Sequence, residues 1–262
     1  MPTGPICVLA LTGVLLASAS AAAAGEAAAR RVIGFSPDGR TFVVEEFGYS
    51  DPGMGTIDLH SFITFVDTAT NTIDDDSVET IVKGGEEKLI GLVRALARRA
   101  AAATLRVDKI GLAGRRIGAD PSSRVGEQFY YANVWPVEKA AKATLGIEAP
   151  EIGGKAMLVL DYAAPTPAPG ESSEAEPSSD KPPTFVLALV KPDGKRTALT
   201  RDVADPWAAS RGAFYKYAIA EAYLLPRPGK TPVIAALVET FTAGAEGANR
   251  NFIPVAIELP AP

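Results

Sequence analysis

The chain has 262 residues, a formal net charge of −5, one cysteine, one histidine and 47% hydrophobic residues. A lone cysteine excludes a disulfide framework or a cysteine-ligated metal site, and a lone histidine excludes a His-cluster metal centre. The acidic balance argues against general nucleic-acid binding or adhesion to anionic membranes, and the length suits one domain with a sizeable core.

Ile6 to Ala17 (ICVLALTGVLLA) form a 12-residue apolar run, followed by the small-residue stretch ASASAAAAG. This pattern reads as the hydrophobic region and cleavage zone of a secretory signal peptide, residues 1–24, with cleavage after Ala24. MPTGP ahead of it lacks the usual Lys or Arg. The run falls short of the roughly 20 residues that a membrane-spanning helix needs, and no transmembrane span is expected elsewhere. Cys7 leaves with the signal peptide. Residues 25–262 are therefore expected as a thiol-free, single β-rich domain that is periplasmic or secreted.

From Arg31 to Tyr49 two apolar, β-branched runs flank Ser36-Pro37-Asp38-Gly39, a hairpin signal in which Pro presets φ and Asp-Gly supplies the turn. Ser61 to Asp67 reads as the next strand, ending at a polar turn over Thr68 to Thr72. The period then changes. Across about 85–105, Leu89, Leu92, Val93, Leu96, Ala100 and Ala103 fall at helical spacing. Glu86 and Glu87 precede them, and Arg98 and Arg99 lie further along. Val137 to Leu145 fits a short helix or a strand.

Strand patterns return at Gln128 to Trp135, Ala156 to Tyr162, Thr184 to Val190 and Arg196 to Thr200. The last two flank Lys191-Pro192-Asp193-Gly194, a second turn of the same kind. Ala213 to Leu224, Pro232 to Phe241 and Asn251 to Leu259 complete the set. Residues 163–183, rich in Pro, Ser and Glu and without apolar periodicity, read as a disordered insertion within a hairpin. The expected class is α+β: mainly antiparallel β, sandwich-like or a curved sheet, with one long covering α-helix.

Charge is unevenly placed. Thr41 to Val82 holds nine acids and no Lys or Arg, whereas Lys83 to Arg124 holds ten basic residues against four acids. Such polarity steers a charged ligand if both segments face solvent. Adjacent segments usually pack together, and the expectation preferred here is that the basic helix covers the acidic hairpin, each neutralising the other.

The stretches GFSPDGRTFVVEEFG and VIAALVETFTAGAEGANRNFIPV resemble the two ends of a family of predicted secreted proteins of unknown function, found mainly in alphaproteobacteria. In the second stretch the matching positions are Phe241, Glu246, Gly247, Arg250, Phe252, Ile253 and Val255. The resemblance implies export and a single domain, and it implies no activity. Arg115 to Ser123 and the 163–183 insertion depart from it. FSPDG is also similar to the blade hairpins of β-propellers, but its nearest echo, VKPDGKRT, lies far beyond one blade of about 40–50 residues.

The residues singled out for binding are Glu45, Glu46, Asp58, His60, Glu246 and Arg250. Glu45 and Glu46 offer an acid/base pair, yet neighbours on a strand point to opposite faces and cannot share one pocket without a bulge. One of them is then expected to be buried against a basic partner. Asp58 and His60, two apart, share a face, while Ser61 points away. No Gly-x-Ser-x-Gly accompanies them, so a surface or loop His is preferred to a hydrolytic site. Glu246 and Arg250 suit an ion pair that shapes a loop. Asp74-Asp75-Asp76 lacks the spacing of a calcium loop, and Lys83-Gly84-Gly85 lacks that of a phosphate loop. No catalytic residue, metal site or cofactor is assigned.

The expected function is a non-enzymatic periplasmic binding or interaction module, with an unidentified protein or small-molecule ligand of the cell envelope and no nucleic acid. A carboxylate-dependent hydrolase using Glu45, Glu46 or Asp58 is one alternative, and a structural cell-envelope protein is the other. The hydrolase requires at least two carboxyls within about 5–10 Å in a concave pocket.

Overall fold

Val233 to Val238, VIAALV, has no polar face, and its place at the centre of the molecule is the reason. The structure, a computed structural model, describes residues 28–50, 57–105, 110, 114–121, 123, 140–163, 184–200, 214–243 and 248–259. The chain begins with β1 (Ala29–Phe35), β2 (Thr41–Ser50), β3 (Ile57–Asp67), β4 (Thr72–Ile73) and β5 (Val78–Gly85). Helix α1 (Ile90–Leu105) and β6 (Arg115–Ala119) follow. Next come β7 (Ala140–Ala149), β8 (Gly154–Ala163), β9 (Phe185–Val190) and β10 (Arg196–Ala198). The chain returns through β11 (Phe214–Leu225), β12 (Val233–Ala243) and β13 (Ala248–Glu258).

These strands make three antiparallel sheets. The first runs β1-β2-β3-β4, with β5 also paired to β3; the second runs β10-β9-β8-β7; the third runs β13-β12-β11-β6. The third sheet lies between the other two. Val233, Ala235 and Leu237 of β12 pack on Phe42, Val44 and Val66 of the first sheet. Ile234, Ala236 and Val238 pack on Leu158, Leu160 and Leu187 of the second. A strand buried on both faces loses the alternation of a half-exposed one, and β12 reads as a continuous apolar run. Where the second and third sheets meet, the Tyr217 ring stands edge-on to Tyr162 at 5.0 Å and beside Phe185 at 5.2 Å.

The expected α+β class with a long covering helix is corrected by this arrangement. Strands dominate, and α1 is 16 residues long. It packs on β2, β3 and β5, against the outer face of the first sheet. Its start is displaced too: residues 78–85 pair with β3, so the helix begins at Ile90 after a single 3-10 turn over Glu87–Leu89. The buried stripe also differs from the leucine spacing. Val93, Ala97 and Ala101 face the sheet, while Leu92 and Leu96 are 58% and 46% exposed. Small residues let the helix lie close enough for its arginines to reach a buried carboxylate described below.

The hairpin turns form as their residues dictate. At Ser36 to Gly39 the Gly39 N–H donates to the Ser36 carbonyl at 2.9 Å, and Gly39 takes φ +73°. A Cβ there would lie 2.8 Å from the Leu225 side chain, so this turn sits against the β11–β12 connection. Lys191 to Gly194 repeats the geometry, with Gly194 N–H donating to the Lys191 carbonyl at 2.9 Å. The antiparallel pairing of β8 with β9 brings together the two strands that flank the 163–183 insertion, most of which lies outside the described residues. The strand expected at Gln128 to Trp135 lies outside them as well. Of Val137 to Leu145, which fits a short helix or a strand, residues 140–145 belong to strand β7, and 137–139 lie outside the described residues.

Gly118 of β6 lies close against β7 of the second sheet. A Cβ at this position would meet the Gly146 carbonyl oxygen at 2.7 Å and the Ile147 side chain at 2.8 Å. Gly118→Ala is expected to destabilise the protein by about 1–3 kcal/mol, because backbone cannot give way as a flexible side chain can. Urea denaturation checks this, and a change within about 0.5 kcal/mol would show that the sheets are not in close register there.

Candidate functional site

Alternation along β2 sends Glu45 and Glu46 to opposite faces, and both are buried, at 0% and 3% exposure. Glu45 points outward beneath α1. Arg94 Nε and Nη2 donate to its two oxygens at 2.9 and 3.0 Å, and Arg98 Nη2 donates at 2.5 Å. The spacing of Arg94 and Arg98, one helical turn, lets both reach the same carboxylate. The Arg94 guanidinium also lies 3.5 Å from the Phe47 ring centroid. Burial works against the charged form of Glu45, but the two guanidiniums outweigh it and hold the carboxyl below its ordinary range. Two arginines of α1 thus neutralise one carboxylate of β2.

Glu46 points inward, between the first and third sheets, where its Oε2 accepts the Phe252 N–H at 2.5 Å. It joins a buried charged layer. Arg30 Nη2 of β1 donates to Glu221 Oε1 at 2.9 Å and to the Ser123 carbonyl at 2.8 Å. Arg250 of β13 is fully buried. Its Nη1 lies 3.8 Å from Glu239 and its Nη2 donates to the Ala28 carbonyl at 3.2 Å. Both guanidiniums flank the Phe252 ring, at 4.7 and 5.7 Å from its centroid. The register of β11 against β12 shifts between Ile219 and Glu221. This bulge turns Glu221 toward Arg30, on the side of Ala220 rather than of Ile219.

Two arginines and three glutamates share this layer, and Glu239 responds most visibly. Burial raises its carboxyl above the ordinary glutamate range, against the Ser123 hydroxyl, Arg250 and Arg30, which favour its charged form. For an acid whose folded value is raised, the stabilising contribution is present below the unfolded value and fades as pH rises through the folded one. Wild-type stability is therefore expected to contain a component that falls with rising pH and is absent from Glu239→Gln. Denaturation midpoints measured across pH check this. Identical pH profiles would refute it.

Asp58 accepts the Gly84 N–H at 3.0 Å and helps fix the end of β5, while His60 packs 5.2 Å from the Phe62 ring. Ser61 donates to Glu45 at 3.4 Å. Glu45, Glu46 and Asp58, the carboxylates that a hydrolase would combine, thus occupy different places: under the helix, between the sheets and at a strand end. Glu246 lies outside the described residues. Among the described residues no group of His, Cys, Asp and Glu has a metal-binding arrangement.

A different feature was not singled out in the sequence. The Lys191–Lys195 turn of the second sheet and the Gly229–Pro232 connection of the third converge on a cleft of about 500 Å³. Ile152, Leu189 and Leu259, each under 9% exposed, form its floor, and Lys191, Lys195 and Lys230 stand at its mouth. Pro and Gly in KPDGK and RPGK predict turns, but nothing local shows that turns of two sheets meet.

Residues 43–258 match the model of the family described as Predicted secreted protein (DUF2259). The chain belongs to that family. No curated protein and no solved structure matches it. The DUF2259 match runs from within β2 to the last residue of β13, so it takes in α1 and every strand of the three sheets except β1. Among the described residues no helix is long and apolar enough to cross a membrane.

Proposed function

We propose that this DUF2259 protein is a non-enzymatic exported module that binds a ligand of the Gram-negative cell envelope. On this reading the leader is removed after Ala24 and residues 25–262 act in the periplasm as one domain. The observation that carries it is the disposition of the carboxylates. Glu45 is engaged by Arg94 and Arg98, and Glu46 by the Phe252 N–H; both lie out of reach of a solvent-borne substrate. A buried acid committed to arginine contributes to architecture, whereas general acid/base work needs contact with substrate. The convergent cleft between the second and third sheets supplies a concave surface of the size that small ligands use, about 300–1,000 Å³.

The test is a turnover assay on protein purified from the exporting cell, with a panel of ester, phosphate and glycoside substrates. No turnover above background is expected, and Glu45→Gln and Glu46→Gln leave that result unchanged. Turnover by the wild type that either replacement abolishes would establish the hydrolase instead.

A further inference from the structure

We infer that the cleft between the Lys191–Lys195 turn and the Gly229–Pro232 connection binds an amphiphilic anion: one phosphate or carboxylate group carried on an apolar chain. The inference rests on the binding-module reading and names its ligand class. Ion pairing around the cleft is the first observation. Glu151, on its wall, is paired with Arg115 at 2.5 Å, and Arg227 beside it is paired with Glu258 at 2.7 Å. Arg40 faces Asp38 at 4.0 Å. Among the described residues, Lys191 and Lys195 have no such carboxylate partner, and Lys230 makes no ion pair within 4.0 Å, although it lies near enough to Glu258 to favour that carboxylate's charged form. Three ammonium groups over a concave surface concentrate positive potential at its mouth, although the whole chain carries −5.

The floor is the second observation. Ile152, Leu189 and Leu259 belong to the core between the second and third sheets, so the cleft opens onto apolar packing. A bare anion would use the lysines and leave this floor wet, whereas an alkyl chain would cover it. Lysine acts as a mobile point charge, and it meets a phosphate or carboxylate head without requiring one fixed geometry. Pro192 and Gly194 in one turn, and Gly229 with Pro232 in the other, hold the backbones that carry these side chains in place.

Isothermal titration of the full exported chain tests this with decyl phosphate, hexyl phosphate, inorganic phosphate and decyltrimethylammonium, all below their micellar concentrations. Decyl phosphate is expected to bind, with affinity rising about fourfold for each methylene that the cleft buries and falling with ionic strength. Hexyl phosphate should bind more weakly, and inorganic phosphate and the cationic surfactant not measurably. Replacing Lys191, Lys195 and Lys230 together with Gln should weaken decyl phosphate roughly tenfold for each lysine engaged. These side chains are exposed, so the variant retains its fold. Equal binding of inorganic and decyl phosphate, equal binding by the variant, or no binding by the wild type would each overturn the inference. The non-enzymatic reading fails by turnover, a separate readout, so the two failures are distinguishable.

Discussion

Replacing Arg250 with methionine is expected to lower the free energy of unfolding by about 3–5 kcal/mol, the usual cost of removing one partner from a buried ion pair. Arg250 is fully buried between the first and third sheets, beside Glu239 and the Phe252 ring, and it also donates to the Ala28 carbonyl. Methionine fills much of the space but leaves acidic neighbours without its charge. The layer then holds Glu46, Glu221 and Glu239 against Arg30 alone. Glu239→Gln in the Arg250→Met background should restore part of the loss, because it removes the stranded charge. Urea denaturation of both singles and the double variant gives the coupling, which is expected to exceed about 0.5 kcal/mol. Additive effects, or a single-variant loss below about 1 kcal/mol, would mean that the layer contributes packing and no charge pairing.

The second large effect belongs to the other face of β2. Changing Arg94 and Arg98 together to leucine strips a fully buried carboxylate of both guanidiniums, and a loss of about 3–5 kcal/mol is expected. Glu45→Gln should cost less, because the arginines left behind are 23% and 38% exposed at their side chains and can turn to water. The pH dependence separates the variants further. Glu45 titrates below the ordinary value of 4.5 in the folded state, so its contribution is present above that value. It is lost as pH falls through the lower folded one. In the double leucine variant burial acts unopposed, the folded value rises, and the slope in that region reverses. Acid denaturation profiles read this directly, and a Glu45→Gln loss equal to that of the double variant would contradict it.

The contrast between β2 and α1 shows what could be read from the residues and what could not. Period-two alternation placed Glu45 and Glu46 on opposite faces, and that geometry depends only on the strand backbone. Burial of both requires a layer on each side of the first sheet, which no local pattern states. In α1 the leucines at helical spacing suggested the wrong buried stripe. The face that packs is Val93, Ala97 and Ala101, chosen by the close approach that Arg94 and Arg98 need to reach Glu45. Propensity and periodicity do not see a tertiary constraint of that kind.

The VIAALV run of β12 was legible as a strand, while its central position became evident only with sheets on both sides. The bulge that aims Glu221 at Arg30 has no glycine or proline to announce it. Site residues followed the same division. The sequence offers Glu46 as half of an acid/base pair with Glu45 and Arg250 as the partner of Glu246 in a loop, whereas both lie in one buried charged layer between the first and third sheets. Lys191, Lys195 and Lys230 looked like ordinary turn residues, since their convergence depends on the stacking of two sheets.

The most direct measurement of the binding-module reading is a backbone amide NMR titration of the exported protein with decyl phosphate. Shifts are expected to cluster at residues 189–197, 229–232 and 259, with the amides of Glu45, Glu46 and Glu239 unmoved. Shifts centred on the buried glutamates, or none at saturating ligand, would contradict it.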